Sequence, residues 1–522
     1  MDYSKAVGIN PKYNTFDLSH DKRMSLKMGE IIPVMAVDVL PGDKFTIESS
    51  HLTRMMPLLS PVMHNVKVKM RYFFSPNRLV WDNWEDFITG PESATDTTEP
   101  VHPYLNTTSI PSSLSDYMGV STADGIGGQS VDVNALPFAH YQFIWNEYFR
   151  DQNLQTEVDY KLTDGSNTSN AALYQKRKVA WQHDRFTSAL PFTQKGPEVT
   201  LPVVQPGGRI DLTFDPIGNS TKWHNSSNGS LEVSATGPIL TDGSGEGYFN
   251  SSGSGYKIAL DISDSNYLNA SDLNINAATV NELREAFAIQ KWLELNARTG
   301  NRYTEHIQAH FGVKPQDARL QRPEEFGGSI SNIQFSEVLQ TSETTTGANP
   351  SALGQMGGHG ITASGSRKAS YYAQEHGWIF AFMYVVPDTT YSQGVPAKFN
   401  KVDRYDYYQP LLAHLGEQPV YGKELYATGG AGDDTTFGYL PIYDEYRHEQ
   451  NSVHGLMKSS LEYWHLGRKF SSQPALNATF IQCDPSNRVF VEEDNDEQVI
   501  AHVYNDLKVQ RKVPYYGTPL GV

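Results

Sequence analysis

The chain has 522 residues, and 42 Lys and Arg against 59 Asp and Glu leave a formal charge of −17 at neutral pH. At about 150 residues per domain this length suits three or four domains, or one large all-β domain with long excursions. Apolar residues at 39%, aromatics at 11% and charged residues at 19% exclude collagen, coiled coil and wholesale disorder. One cysteine, Cys483, forms no internal disulfide and fits folding in a reducing compartment. The first residues carry no basic and apolar leader pattern, and no apolar run reaches about 18 residues, so a soluble product made in the cytoplasm is expected.

In chain order, strands are expected at 31–39 and 45–49, then at 66–74. There Val66, Val68, Met70, Tyr72 and Phe74 share one side, and Lys67, Lys69, Arg71 and Phe73 the other. Residues 91–133 read as a loop. Residues 135–150 read as a helix with Phe138, Tyr141, Trp145, Tyr148 and Phe149 at helical spacing. After a strand at 199–204, residues 211–272 are dense in Gly, Ser, Asn, Thr and Asp and read as a polar insertion with some strand of its own.

A second helix, 281–298, stripes Leu283, Ala286, Phe287, Ile289, Leu293 and Ala297. Core packing explains both stripes better than a cofactor does. Residues 342–366 and 427–436 read as loops. Residues 378–386 are apolar at nearly every position, the mark of a strand buried on both faces. Further strands are expected at 477–482, 488–492 and 499–509, the last alternating apolar with polar. The chain reads as β-dominant.

Enzyme signatures are missing: there is no Gly-x-Ser-x-Gly elbow, phosphate loop or His-Glu-x-x-His motif. The glycines at 125–128 and 357–360 read as loops. His448 and His454, near Glu445 and Glu449, match no zinc spacing, so no metal is expected there. The acidic run 492–497 lacks the calcium-loop pattern and reads as a solvated turn. Cys483 reads as a small packed side chain.

Basic clusters oppose the overall sign. Lys176, Arg177 and Lys178 precede Trp181, His183 and Arg185, and the Lys67, Lys69 and Arg71 face carries Phe73. Cations interleaved with rings suit a single nucleic-acid strand, whose phosphates meet charge while its bases stack. A charged sheet edge or ion pairs to a neighbouring subunit would produce the same pattern.

Several segments carry a family likeness: FDLSH (16–20), LPGDKF (40–45), YFFSPNR (72–78), WDNWEDFITG (81–90) and IWNEYFRDQNL (144–154). They continue with 290–328, which contains RYTEHIQAHFGVKPQDARLQRPEEFGG, then RYDYYQPLLAHLGEQPVYGKELY (404–426), 437–447 and 461–470. In this order the chain resembles the major capsid proteins of the Microviridae, the gokushovirus-like branch in particular.

The resemblance implies a mainly β chain with a few helices: one eight-stranded antiparallel viral jelly roll spanning 1–522, with long insertions. It implies no enzyme and no cofactor, but a 60-copy T=1 icosahedral shell around circular single-stranded DNA, a virion protein synthesised and assembled in the cytoplasm of a bacterial host. Residues 211–272 occupy the place of an insertion that protrudes at the threefold axes but carry none of the family's motifs; as aromatics in a polar loop, Trp223, Tyr248 and Tyr256 are host-attachment candidates for an unidentified surface receptor. Subunit-contact candidates are Trp81, Trp84, Phe87, Trp145 and Tyr148. DNA-facing candidates are Lys67, Lys69, Arg71, Lys176, Arg177, Lys178 and Arg185.

Sixty chains at −17 sum to about −1000, which opposes a packaged polyanion. Either local basic faces point inward, or a small basic DNA-binding virion protein supplies countercharge; the family implies that partner, and a pilot or minor virion protein besides. The competing reading is a glycan-binding β-sandwich protein with long recognition loops.

Overall fold

The structure, a computed structural model, describes residues 12–90, 99–108, 110–121, 130–197, 280–342 and 356–516, positions 199 and 354, and four short strands within 222–248. The chain divides into two compact units, Met1–Gly196 with Leu293–Val522, and Pro197–Trp292. In the second unit, Lys222–His224 pairs with Leu231–Ser234 and Leu240–Thr241 pairs with Gly247–Tyr248. Trp223 and Tyr248 fall on those strands. Tyr256 and all but the first residue of the strand expected at 199–204 lie outside the described residues, as do the glycines at 125–128.

Eleven strands build the core of the first unit: β1 Asn14–Asp17, β2 His20–Leu26, β3 Ile32–Val39, β4 Lys44–Met55, β5 Val66–Pro76, β6 Glu324–Asn332, β7 Gln334–Leu339, β8 Met356–Gly365, β9 Ala369–Tyr372, β10 Gly377–Pro387 and β11 Val499–Arg511. One sheet runs β1-β11-β4-β8-β7, with β2 also on β11 and β9 also on β4; the other runs β6-β5-β10-β3. Every pairing is antiparallel.

The expected eight strands become eleven for local reasons. β1 and β2 share one lane along β11, and β8 and β9 share one lane along β4, while β7 adds a hairpin edge. Between β8 and β9 the buried Ser366 hydroxyl accepts from the Ser49 N–H (2.8 Å) and the Tyr72 hydroxyl (2.7 Å), so the break itself is fastened.

Alternation decides which side chains enter the sandwich. Val66, Val68, Met70, Tyr72 and Phe74 of β5 meet Phe45, Ile47 and Met55 of β4 and Val499, Ala501, Val503, Leu507 and Val509 of β11 in one core. Asn505 sits among them, satisfied by accepting from the Ser49 hydroxyl (2.7 Å) and donating to the Val34 carbonyl (3.1 Å). β10 is apolar throughout because its sheet is covered on both sides. Ile379, Ala381, Met383 and Val385 face the sandwich, and Phe380, Phe382, Tyr384 and Val386 face a second core.

That second core is closed by the helix Leu136–Tyr148, within two residues of its expected ends. Phe73 meets Tyr148 at 4.8 Å, Tyr141 meets Phe382 at 5.7 Å and Phe149 meets Tyr384 at 5.6 Å between ring centres. The helix is buried nearly all round, so its polar residues need internal partners. The Gln142 amide donates to the Gln175 carbonyl (2.9 Å), and the Asn146 amide to the Val158 carbonyl (2.8 Å).

His140 lies between the Ser75 hydroxyl (2.8 Å) and the Asn77 side-chain oxygen (3.0 Å). Burial pushes its pKa from 6.5 down to about 3. The folded chain keeps this imidazole neutral, whereas the unfolded chain protonates it below about pH 6.5. Its contribution is therefore intact above that pH and declines by about 1.4 kcal/mol per pH unit as pH falls towards 3. His140→Gln should flatten the acid limb of the stability profile between pH 6.5 and 4 in urea titrations; an unaltered slope contradicts the assignment.

Several expectations change. Residues 478–481 form a short helix, because the Asn477 side chain accepts from the Phe480 N–H (2.9 Å) and caps it. Residues 488–492 form a turn with one bridge, Leu58 to Phe490. The glycines at 357–360 belong to β8 rather than to a loop: a Cβ on Gly358 would lie 2.0 Å from the Ser60 carbonyl oxygen, so close backbone approach explains the glycine. Tyr104–Thr108 and Ser130–Asn134 pair within the expected loop 91–133. The helix Val280–Thr299 buries Ala297, while Leu283, Phe287 and Ile289 of its stripe are exposed and do not pack as a core.

Candidate nucleic-acid interface

Where the aromatic helix ends, β5, β10, residues 179–190 and residues 297–305 surround a cavity of about 580 Å³. Two sequence clusters separated by about a hundred residues converge here: Lys69 and Arg71 from β5, and Trp181 and His183 from the later stretch. Arg150, Arg298 and Arg302 join them, against the carboxylates Asp151 and Glu305. Five cations thus line the cavity, and two further carboxylates, Glu325 and Glu417, reach Arg71 and Arg298 from outside its lining.

The cations differ in what already neutralises them. Arg71 pairs with Glu325 at 2.8 Å, Arg302 with Glu305 at 3.1 Å, and Arg298 with Glu417. Lys69 has no ion-pair partner among the described residues, and burial, aided by Lys67 and Arg71, lowers its pKa. Arg150 donates to the Gln155 carbonyl (2.8 Å), and burial lowers its pKa too. Nε of Arg150, Nε of Arg302, Nε2 of Gln182 and Oγ1 of Thr299 are buried behind the cavity wall without a protein acceptor. Lys69 and Arg150, without a carboxylate partner among the described residues, suit an anion. Tyr148, Phe149, Trp181 and Tyr384 supply aromatic wall.

The other basic candidates are absorbed by the fold. Lys67 pairs with Asp388 at 2.7 Å, Lys176 with Glu30, and Lys178 with Asp484 at 2.8 Å. The Arg177 guanidinium lies 5.4 Å from the Trp145 ring centre and donates to the Gln142 side chain (2.7 Å) and the Ala172 carbonyl (3.0 Å). Arg185 is 4% exposed, between Glu424 at 3.0 Å and Asp444 at 2.8 Å, so its guanidinium has no surface to offer a strand.

The aromatic contact candidates mostly face inward. The Trp81 indole is buried and donates to Asp164 (2.8 Å), and Trp84 meets it edge-on at 6.2 Å. Trp145 is buried and donates to the Lys178 carbonyl (3.0 Å). The Tyr148 hydroxyl donates to the Pro323 carbonyl. Phe87, at 38%, has the largest exposure of the five.

Sequence reading missed Arg150, Arg302, Gln182 and Thr299. Arg150 and Arg302 fall in segments of family likeness, yet nothing local marks them as neighbours. Cys483 is fully buried in the second core, and burial raises its thiol pKa. His448 stands 3.6 Å from the Asp444 carboxylate and His454 is 2.8 Å from the Ser452 hydroxyl. Among the described residues, no group of three or more His, Cys, Asp and Glu side chains converges, and no helix is long and apolar enough to cross a membrane.

A family model described as capsid protein (F protein) matches residues 8–520. The chain belongs to this phage capsid family. Capsid protein VP1 of Chlamydia phage 1 is 33% identical over 99% of this chain and 97% of its own length, and VP1 of Bdellovibrio phage phiMH2K matches to the same extent. VP1 of Spiroplasma virus 4 is 30% identical over the same shares. The chain is thus a Microviridae major capsid protein, a structural component of a virion whose copies assemble into a shell. Membership along the whole length replaces the glycan-binding alternative, and the family is not one of enzymes.

Proposed function

We propose that copies of this capsid protein close into a T=1 icosahedral shell around circular single-stranded DNA, with the Lys69–Arg150 cavity turned to the packaged strand. The observation that carries this reading is the convergence of Lys69 and Arg150, which have no carboxylate partner among the described residues, with an aromatic wall in a chain of net charge −17. Counterion release would reward each phosphate seated there. Since the chain as a whole remains acidic, a small basic virion protein supplies the remaining countercharge. A pilot or minor protein completes the particle in the host cytoplasm, and the 211–272 insertion, with Trp223, Tyr248 and Tyr256, meets the host receptor.

Closed particles of uniform diameter with nuclease-protected single-stranded DNA are expected by electron microscopy and nuclease digestion; particles of mixed size or with duplex contents contradict the reading. Lys69→Gln with Arg150→Gln should flatten the dependence of log affinity for an oligodeoxynucleotide on log salt by about 1.4, two cations at roughly 0.7 each. Fluorescence anisotropy between 50 and 200 mM salt reads this, and an unchanged slope removes the cavity from the DNA path.

A further inference from the structure

Between β10 and β11 the stretch 397–417 carries apolar side chains into solvent. Val402 is 94% and Leu411 93% exposed, and Phe399, Tyr405, Tyr408 and Leu415 are also exposed. Scattered surface hydrophobics are ordinary, but this many within one short stretch is an interaction surface.

The stretch is held in place. The Asp406 carboxylate accepts from the N–H groups of Val402 and Asp403, both at 2.8 Å. Lys401 is pinned by Glu445 at 3.0 Å, with its ammonium 3.7 Å from the Tyr446 ring centre. The Tyr408 ring stands edge-on to Tyr443 at 5.3 Å, and the Tyr443 hydroxyl accepts from the Gln409 N–H at 3.3 Å. Apolar groups fixed this way lose little conformational freedom when covered, which favours binding.

We propose that this patch is a contact between two copies of the chain in the shell. Shell formation from copies of itself is the family's property; the patch that makes the contact is the new assignment. Chemistry at the rim suits a like partner. Asp403 and Arg404 are exposed neighbours of opposite sign, and Lys398 of the same stretch pairs with Glu449 at 2.6 Å, so a second copy brings the complement of each charge. Exposed Tyr, Val and Leu together with charges of both signs is the composition of an interface. The assignment needs assembly but no particular copy number, so it can fail while the T=1 reading stands.

Cys483 is fully buried, so a cysteine introduced at position 402 or 411 reports alone. Val402→Cys and Leu411→Cys should react with a maleimide quickly in the soluble, unassembled chain and at least about tenfold more slowly in virions. Equal rates overturn the proposal. So does protection already present in the unassembled chain, because the chain's own insertion would then cover the patch. A photoreactive benzoylphenylalanine at Tyr408 should yield a crosslinked product of twice the chain mass; a product with a different virion protein overturns it. Leu411→Asp should fold with the thermal midpoint of the parent chain while the yield of closed particles falls at least about tenfold, and a normal particle yield argues the patch out of the assembly.

Discussion

Arg185→Met should cost about 3–5 kcal/mol of folding stability, because it leaves two carboxylates facing each other in the protein interior. Arg185 and its partners Glu424 and Asp444 have side chains 3%, 4% and 5% exposed, so water does not take over the vacated role. Glu424 already has its pKa raised by burial, a shift that Arg185 opposes. Without the guanidinium that carboxyl rises further. A carboxyl raised in the folded state binds more protons than in the unfolded chain, so its burden grows as pH rises through the folded pKa and shrinks as pH falls. The Arg185→Met deficit is therefore largest near neutral pH and above, and recedes in mild acid. Urea midpoints of the soluble chain at pH 5 and pH 8 measure it. Adding Glu424→Gln and Asp444→Asn should return much of the loss, since a volume-matched cluster of neutral amides carries a far smaller desolvation penalty than two carboxylates. A triple variant as unstable as Arg185→Met would place the cost in packing rather than charge. This expectation also separates a structural arginine from a DNA contact, for which the fold would survive and only genome binding would weaken.

That contrast marks where sequence was legible. Period-two alternation found β5 and β11 because each turns a mostly apolar row to the sandwich and a mostly polar or charged row away from it, and an unbroken apolar run found β10 because both its faces are covered. The helix at 136–148 was legible for a different reason: five aromatics at helical spacing require a large surface, and β5 with β10 supplies it. Short elements governed by one side-chain hydrogen bond were not legible. Asn477 turns an apolar, strand-like run into a helix, and a Cβ-free approach to Ser60 hides a strand among glycines. Charge was read correctly in sign and poorly in partner. Lys176 and Lys178 look free in sequence, but Glu30 and Asp484, about 150 and 300 residues away, reach them in the fold. The same long-range closure brings Arg150 and Arg302 beside Lys69, which no local pattern announces. The family likeness carried function because its segments span the whole chain, not because any one of them encodes chemistry.

Trp145→Ala should destabilise the protomer itself by about 3–5 kcal/mol, the usual cost of removing a large buried aromatic. Three losses combine. The indole leaves a cavity beneath the helix that closes the second core, where Trp145 packs in the company of Phe73 and Phe382. The Lys178 carbonyl, 3.0 Å from the indole nitrogen, loses its donor. The Arg177 guanidinium, 5.4 Å from the ring centre, loses its aromatic platform. The effect on particles then follows from fewer folded chains, and near-ultraviolet circular dichroism and the urea midpoint of the unassembled chain should change before assembly is tested. Trp145→Phe separates the terms: it restores most of the volume but not the hydrogen bond, so its cost should lie near the 1–3 kcal/mol of an unsatisfied buried acceptor. Were Trp145→Ala to leave the soluble chain as stable as before and abolish closed shells, the ring would belong to a contact between subunits instead. Its burial within one chain argues for the first outcome, and it moves the search for the contact between copies from the aromatic helix to the exposed, braced stretch around Val402 and Leu411.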